Sequence, residues 1–326
     1  MFSRSQIIEN FQIEVFSFCE LIKETEKLYE KHNNPYHNFK HGFLVLKNCY
    51  NFLIDNEILY NYFNILGHAA LLFGALMHDI EHTGHNNMFE VNSLSTLAIR
   101  YNDESVLENH HAATAFNLLT KKNMNIFEKM HFDDFELFRK FVIRGIIHTD
   151  IKLHFSDLAE FSEKLNSAKF NPQEDQEDLS DFLLLFGILT HTADLYVPTL
   201  GVDSSVKWSF LVNEEFRSQV KLEKAKDLPI TKFYQGLDDI KIVAKSELFF
   251  GAKIVKPLWL ELDRFFQGQL SLQIENINES LKFWERVSDS EGEELERYKI
   301  KVFWKDRDPS LKLTGITTQS NFFNNI

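Results

Sequence analysis

The sequence contains little cysteine. Its 326 residues include two cysteines, Cys19 and Cys49, which are too few for a disulfide framework and are not spaced as metal ligands. A chain of this length buries roughly three quarters of its unfolded surface and needs no covalent staples. Residues 1–11 also lack the apolar segment of a secretory signal. We therefore expect ordinary core thiols in a reducing compartment and a cytoplasmic protein.

Basic residues and long apolar runs are also scarce. The 35 lysines and arginines are outnumbered by 48 acidic residues, and the net charge of −13 disfavours binding to a nucleic acid polymer or an anionic membrane. The longest apolar stretch, residues 69–77, is too short to span a bilayer. A small phosphate-bearing substrate remains compatible with this charge if metal ions supply positive charge locally.

Helix breakers are few as well. Twelve glycines and six prolines leave long stretches in which apolar residues follow helical spacing, and this pattern predicts an all-α protein. Residues 58–77 and 182–195 are apolar on every side and predict helices at the centre of a bundle, whereas residues 137–147 predict an amphipathic helix. The loops predicted from clusters of turn formers are 31–35, 166–176 and 198–205.

Many of the 13 histidines are paired with one another or with acids at helical spacing. His78, Asp79 and His82 follow the longest apolar stretch, and their spacing predicts that one helix presents them in one direction. The other groups are His37 with His41, Glu108 with His110 and His111, His148 with Asp150, and His191 with Asp194. Imidazole and carboxylate groups are ligands of zinc and of mixed pairs of divalent cations, in which a shared aspartate can bridge two ions.

A metal site competes with simpler interpretations of these groups. A single histidine is more often a core or surface residue than a ligand. Burying several ionisable groups beside an apolar segment is costly without partners or a metal, and structural ion pairs account for one such group but hardly for all of them. No serine or cysteine lies in a recognisable nucleophile motif, and no Gly-rich phosphate loop is present. The pattern therefore favours a metal site over nucleophilic catalysis by a side chain.

At these residues the chain resembles the catalytic domain of class I cyclic nucleotide phosphodiesterases. The matching segments are 36–41 (YHNFKH), 75–84 (ALMHDIEHTG), 105–111 (SVLENHH), 149–150 (TD) with 154–155 (HF), 193–195 (ADL), 214–216 (EEF) and 256–259 (KPLW). The resemblance implies a compact, all-helical, histidine–aspartate (HD-type) domain with a binuclear metal site. We expect a helical lead-in over residues 1–35, the catalytic domain over 36–284, and a charged helix with a polar tail over 285–326.

The resemblance also implies a ligand set for two divalent ions. The residues that match the ligands of the tighter ion, usually zinc, are His41, His78, Asp79 and Asp194. Asp79 also matches the bridge to a second ion, usually magnesium or manganese, whose other ligands are mostly waters. The residues that match those holding these waters are His82, Glu108, His111 and Thr149.

The chemistry implied by the resemblance is hydrolysis of a 3′,5′-cyclic nucleotide to its 5′-monophosphate. A hydroxide that bridges the two ions would attack phosphorus, and His37 matches the acid that protonates the leaving 3′-oxygen. Glu215 matches the carboxylate that orients His37. Tyr36, in the first matching segment, is assigned to substrate binding.

Base recognition departs from the family pattern. Glu247 stands where the family normally has a glutamine, Phe250 matches the aromatic residue that stacks on the purine, and Val197 replaces an asparagine common in cAMP-directed members. A carboxylate offers only acceptors, which suit the two adjacent donors of guanine, so we expect a preference for cGMP. Use of both nucleotides is the main competing expectation. In another alternative, Glu247 turns away to pair with Lys245 or Lys253.

Two other functions remain open at this stage. The ligand pattern also fits another HD-type metal phosphohydrolase acting on a different nucleotide, and the altered base pocket fits a catalytically weak cyclic-nucleotide-binding regulator. The matches at Glu215 and at residues 257–259 favour the phosphodiesterase. The expected partner is a small cyclic nucleotide. A homodimer stays open, and the sequence decides neither the oligomeric state nor the regulation.

Overall fold

The protein is helical throughout the residues that the computed structural model describes, which are 1–54, 59, 62–167, 170–173 and 178–302, and none of them forms a β-strand. The α-helices are α1 (Ile7–Asn10), α2 (Val15–Tyr29), α3 (Phe39–Ile54), α4 (Ile65–Met77), α5 (Asn87–Asn92), α6 (Thr96–Tyr101), α7 (Val106–Leu119), α8 (Phe132–Ile147), α9 (His154–Asn166), α10 (Ser180–Asp194), α11 (Val202–Ala225), α12 (Ile240–Phe249), α13 (Lys256–Phe265), α14 (Ser271–Asp289) and α15 (Gly292–Val302). The 3₁₀ turns are Glu30–His32, Ile151–Leu153, Val197–Thr199 and Lys232–Tyr234, and a π-helical segment, Phe250–Val255, joins α12 to α13. The predicted all-α fold is confirmed.

Helix α4 lies at the centre of the bundle. Its side chains from Leu66 to Met77 are all buried, and it packs against α3 and α8, while α10 packs against α8 and α3. The expected continuous helix over 58–77 is wrong at its start, because Phe63 and Asn64 interrupt it; residues 58, 60 and 61 lie outside the described residues. The Asn64 side chain accepts hydrogen bonds from the backbone N–H groups of Leu66 and Gly67 and so caps α4.

Aromatic packing joins α8 to α10, the helix that ends at Asp194. Phe141 and Phe182 have ring centroids 4.6 Å apart. At Gly145 an added Cβ would lie 2.8 Å from the Phe186 ring, so the glycine lets the two helices approach closely. The helices predicted over 137–147 and 182–195 are confirmed, and each extends further toward its N-terminus than predicted.

The C-terminal half adds a second apolar cluster, in which Ile240 and Val243 of α12 pack with Phe283 and Trp284 of α14. The loop predicted over 198–205 is wrong in its second half, because α11 begins at Val202. The charged segment expected as one solvated helix from 285 is broken at residues 290–291 between α14 and α15. Residues 303–326, which include the predicted polar tail, lie outside the described residues, as do parts of the loop predicted over 166–176.

The length and polarity of the helices determine whether any of them could cross a membrane. Throughout the part of the chain that the structure describes, every helix is too short or too polar to cross a bilayer.

The buried aromatic layer between α8 and α10 predicts a large loss of stability on truncation. Phe186 is 0% exposed, whereas Phe132, at the start of α8, is 76% exposed. We expect Phe186→Ala to lower the free energy of unfolding by about 3–5 kcal/mol, because it removes buried surface and leaves a cavity. The control Phe132→Ala should change it by less than about 0.5 kcal/mol. Urea denaturation followed by circular dichroism measures both, and equal losses would contradict this packing.

Candidate metal centre and active site

The segment after α4 presents three of the predicted site residues. The helix ends at Met77, His78 occupies its C-terminal cap, and residues 79–81 form a turn. Ile80 N–H donates to Met77 O and His82 N–H to Asp79 O, both at 3.1 Å, and Glu81 adopts a positive φ of 63°. The prediction that one helix presents His78, Asp79 and His82 is therefore wrong. All three side chains are nevertheless buried.

Four ligand atoms converge at the first cluster, which consists of His41, His78, Asp79 and Asp194. The Nε2 atoms of His41 and His78 are 3.1 Å apart. Each lies 3.0 to 3.3 Å from Oδ2 of Asp79 and from Oδ1 of Asp194. His41 belongs to α3 and Asp194 ends α10, so three parts of the chain meet at this point.

This donor set fits a divalent cation. Ligands about 2.1 Å from a zinc ion are about 3.4 Å apart in a tetrahedron and about 3.0 Å apart at right angles. The observed separations of 3.0 to 3.3 Å match that range. Two imidazole nitrogens and two carboxylate oxygens are donors that zinc accepts.

Backbone carbonyls fix the tautomers of two histidines. His78 Nδ1 lies 2.8 Å from Ala75 O, and His111 Nδ1 lies 2.7 Å from Ile80 O. Since a carbonyl only accepts, each Nδ1 carries a proton, and Nε2 is the ring nitrogen left to face a metal ion. His78 Nε2 points into the first cluster, and the buried His111 Nε2 has no hydrogen-bond partner among the described residues.

Both aspartates of the first cluster are ionised. Burial alone would raise the pKa of Asp79 and of Asp194, but the neighbouring His78 and His41 hold both pKa values well below the usual range. The buried centre therefore carries two carboxylate charges that need cationic partners.

A second cluster shares Asp79. It consists of Asp79, His82 and His111, and His111 Nε2 lies 3.7 Å from Oδ1 of Asp79. The two oxygens of Asp79 thus face different clusters. Gly84 N–H donates to His82 Nδ1 at 3.0 Å, so neutral His82 carries its proton on Nε2 and is a donor. Burial lowers the pKa of His82 well below its usual value and that of His111 to about 4.

The other two residues expected at the second ion are Glu108 and Thr149. Each forms hydrogen bonds with a different part of the protein. Glu108 is buried and accepts from Asn87 Nδ2 at 2.9 and 3.2 Å. Burial and the charge of Asp150 raise the pKa of Glu108 to about 8. Thr149 Oγ1 donates to Ile146 O at 2.8 Å.

The expected acid and its partner lie together. His37 Nδ1 is 2.6 Å from Glu215 Oε2, and Glu215 Oε1 accepts the backbone N–H groups of Tyr36 and His37 at 2.6 and 2.8 Å. The His37 ring stacks on His82 with centroids 4.0 Å apart. Burial would lower the pKa of His37, but Glu215, with help from Asp79 and Asp194, raises it to about 9. Glu215 lies on α11.

Glu247, expected at the base, lies on α12 and is held by two side chains of α11. Ser209 Oγ donates to Glu247 Oε1 at 2.5 Å, and Asn213 Nδ2 donates to the same oxygen at 3.3 Å. Within the described residues Glu247 binds these two side chains and forms no ion pair with Lys245 or Lys253, so the alternative in which it turns away to a lysine is wrong. Burial raises the pKa of Glu247, and the two hydrogen bonds oppose this increase.

The other residues expected at the substrate lie as follows. Phe250 opens the π-helical segment and is half-buried, and half-buried Val197 begins a 3₁₀ turn. Tyr36 packs its ring against His41, with centroids 4.8 Å apart, and against Trp208 at 5.5 Å.

Several histidines noted in the sequence serve elsewhere. His191 forms a hydrogen bond with His154 (Nε2 to Nδ1, 2.9 Å), and His148 pairs with buried Asp157. His110 lies 3.1 Å from Glu81. The first contact joins α9 to α10, the second joins the end of α8 to α9, and the third joins α7 to the turn after α4; none of the four histidines belongs to the two clusters.

Two residues that support the site received no role from the sequence, although Asp150 had been noted beside His148. Asn34 Nδ2 donates to the carbonyls of His37 and His82 at 3.1 and 2.7 Å and so ties the acid to the turn after α4. Buried Asp150 accepts a hydrogen bond from Ser105 Oγ at 2.8 Å, and its negative charge helps to raise the pKa of Glu108. The available signal for Asp150 was its place directly after Thr149; Asn34 offered none.

Comparisons with known proteins agree along most of the chain. Residues 36–277 match the 3′5′-cyclic nucleotide phosphodiesterase family. The chain is 32% identical over 297 residues to the 3′,5′-cyclic-nucleotide phosphodiesterase regA of Dictyostelium discoideum, covering 90% of this chain and 36% of that protein. It is 32% identical over 292 residues to the high affinity cGMP-specific 3′,5′-cyclic phosphodiesterase 9A of Drosophila melanogaster, covering 89% and 18%. The chain thus spans about a third or less of the length of these relatives.

A solved structure gives the same result for the fold. The phosphodiesterase domain of the RhoPDE fusion protein from Salpingoeca rosetta superposes with a TM-score of 0.83 at 32% identity, covering 91% of this chain and 90% of that one.

The two oxygens of Asp79 predict different effects for the two aspartates. We expect Asp79→Ala to lose metal at both clusters, because the change removes an oxygen from each, and Asp194→Ala to weaken only the first. Elemental analysis of dialysed protein measures the metal content per chain. Retention of two ions by Asp79→Ala would contradict the assignment.

Proposed function

The chain belongs to the 3′,5′-cyclic nucleotide phosphodiesterase family, and we propose that it hydrolyses the 3′-phosphoester bond of a 3′,5′-cyclic nucleotide to give the 5′-monophosphate. The observation that carries this proposal is the His37–Glu215 pair, in which the His37 ring stacks directly on His82 of the second cluster. A buried ligand cluster with a proton donor beside it is what hydrolysis of a phosphodiester with a poor leaving group requires.

In this proposal His41, His78, Asp79 and Asp194 hold a zinc ion, and Asp79 also serves a magnesium or manganese ion. Two bound cations would neutralise the phosphodiester and lower the pKa of a water molecule between them. His82, Glu108, His111 and Thr149 would hold waters of the second ion. Neutral His82, with its proton on Nε2, is suited to donate to such a water.

His37 supplies the proton to the leaving group. Its Nδ1 is held by Glu215, so the proton on Nε2 is the one that can be transferred to the 3′-oxygen as the P–O3′ bond breaks. The ionised Glu215 stabilises the charged imidazole before transfer. The three hydrogen bonds that Glu215 accepts from residues 36 and 37 fix the position of this ring.

Two observations weigh against the competing functions. A binding regulator has no need of the His37–Glu215 pair, and in this chain the pair is intact. Another HD-type phosphohydrolase would share the ligand clusters, but the family match extends beyond them, over residues 36–277.

The role of His37 predicts a loss of rate without a loss of metal. Purified wild type should hydrolyse cAMP or cGMP in the presence of magnesium or manganese. We expect His37→Asn to lower kcat by about 10²–10⁴-fold, because the leaving oxygen loses its proton donor. Steady-state assays and elemental analysis measure the two effects separately.

The control is His32→Asn, which changes an exposed histidine five residues earlier and should have wild-type activity. A substrate with a much better leaving group should be hydrolysed almost equally by His37→Asn and wild type. An unchanged rate with the natural substrate would exclude this role for His37.

The environment of Glu247 supports the expected preference for guanine. Both donors, from Ser209 and Asn213, bind Oε1, and in this proposal Oε2 is the acceptor for a bound base. Ionised Glu247 suits N1–H and the 2-amino group of guanine, whereas protonated Glu247 offers Oε2–H to N1 of adenine. Burial raises the pKa of Glu247, so the protonated form gains as the pH falls.

We therefore propose that wild type prefers cGMP at neutral pH and that this preference weakens as the pH falls through the pKa of Glu247. Glu247→Gln should reduce the ratio of kcat/KM for cGMP over cAMP about tenfold, because it exchanges an ionised acceptor for an amide. Competition assays measure the ratio, and Glu279→Gln, at an exposed position of α14, is the control. A wild type that strongly prefers cAMP at neutral pH would contradict the proposal.

A further inference from the structure

The break at the end of α4 deprives two backbone N–H groups and two carbonyls of their helical partners. In a continued helix Asp79 N–H would donate to Ala75 O, and Ile80 N–H would donate to Leu76 O. Instead Ile80 N–H turns to Met77 O at 3.1 Å, and Ala75 O faces His78 Nδ1 at 2.8 Å. Buried groups of this kind are costly unless another donor or acceptor satisfies them.

The hydroxyl of Tyr29 serves both remaining groups. Tyr29 Oη donates to Leu76 O at 2.9 Å and accepts Asp79 N–H at 3.2 Å. One hydroxyl, from the last residue of α2, thus replaces the helical partners of two residues at the break. It reaches the backbone of the one aspartate whose oxygens face both clusters.

Close packing fixes the position of this hydroxyl. Tyr29 is 0% exposed. On α3, an added Cβ at Gly42 would lie 2.7 Å from Tyr29 Oη and 2.8 Å from Cζ, so the absence of a side chain at Gly42 makes room for the ring. The ring also meets Phe39 edge to face, with centroids 6.1 Å apart. The hydroxyl therefore has little freedom to leave Asp79.

We infer that Tyr29 is a positioning residue for the metal centre, which holds the peptide of Asp79 so that its two oxygens are directed to the two clusters. The inference rests on the metal assignment within the proposed function. It adds α2, which contributes no ligand, to the elements that set metal affinity. Loss of a partner that orients a ligand typically weakens metal binding by about 10–100-fold.

The test compares two buried hydroxyls on α2. Tyr29→Phe removes only the hydroxyl that reaches Asp79. The matched control, Thr25→Val, removes a hydroxyl one turn earlier that donates to Leu21 O at 2.8 Å and contacts Met77 Sδ at 3.8 Å but does not reach Asp79. Competition with a chromogenic chelator measures the affinity of each folded variant for zinc and for manganese, and thermal unfolding of the metal-free proteins measures stability.

We expect Tyr29→Phe to weaken metal binding about tenfold, since it acts through the backbone of the ligand rather than on its side chain. Turnover at limiting manganese should fall and recover with excess manganese, which a merely structural defect would not do. Thr25→Val should lower thermal stability without changing metal affinity. Wild-type affinity in Tyr29→Phe, or the same loss of affinity in both variants, would overturn the inference.

The outcome is separable from that of the proposed function. If wild type binds two ions but hydrolyses no cyclic nucleotide, the proposed function fails, while the chelator competition still decides the role of Tyr29.

Discussion

The structure depends on two carboxylates, buried Asp79 and half-buried Asp194, that face the same two imidazole nitrogens. Two like charges in the interior of a protein are unfavourable unless cationic groups lie against them. His41 and His78 lie at 3.0 to 3.3 Å from both carboxylates, and a divalent cation bound there would compensate them further. The bundle around α4 holds these groups together although they come from distant parts of the chain.

Two of these ligands, His78 and Asp79, follow directly after the end of α4. Successive side chains of a regular helix lie 100° apart. Here the helix ends at Met77, the side chains of His78 and Asp79 meet in the first cluster, and other side chains take over hydrogen bonds that the helix gives up. His78 Nδ1 faces one carbonyl, and the Tyr29 hydroxyl bonds another carbonyl and an amide. The contact of His78 Nδ1 with Ala75 O also fixes the tautomer of His78. One hydrogen bond therefore both satisfies a backbone carbonyl and orients a ligand.

Helix α11 links the two halves of the site. Glu215 orients His37 near the clusters, while Ser209 and Asn213 hold one oxygen of Glu247. Asn34 ties the loop of His37 to the carbonyl of His82. The proton donor and the base-side carboxylate are therefore positioned by residues that carry no ligand and that make ordinary hydrogen bonds.

The sequence by itself determined the helical architecture and the central position of α4, because apolar residues on every side of residues 65–77 allow no other location. The set of residues that converge at the first cluster came from the resemblance to a known family, since the pattern of histidines and acids alone left several groups open. Helical spacing failed at His78, Asp79 and His82 because periodicity does not record where a helix stops. Only the tertiary structure decided which oxygen of Asp79 faces which cluster, that His191 pairs with His154, and that Glu247 binds Ser209 rather than a lysine. These outcomes depend on contacts between residues far apart in the chain, which a local pattern does not contain.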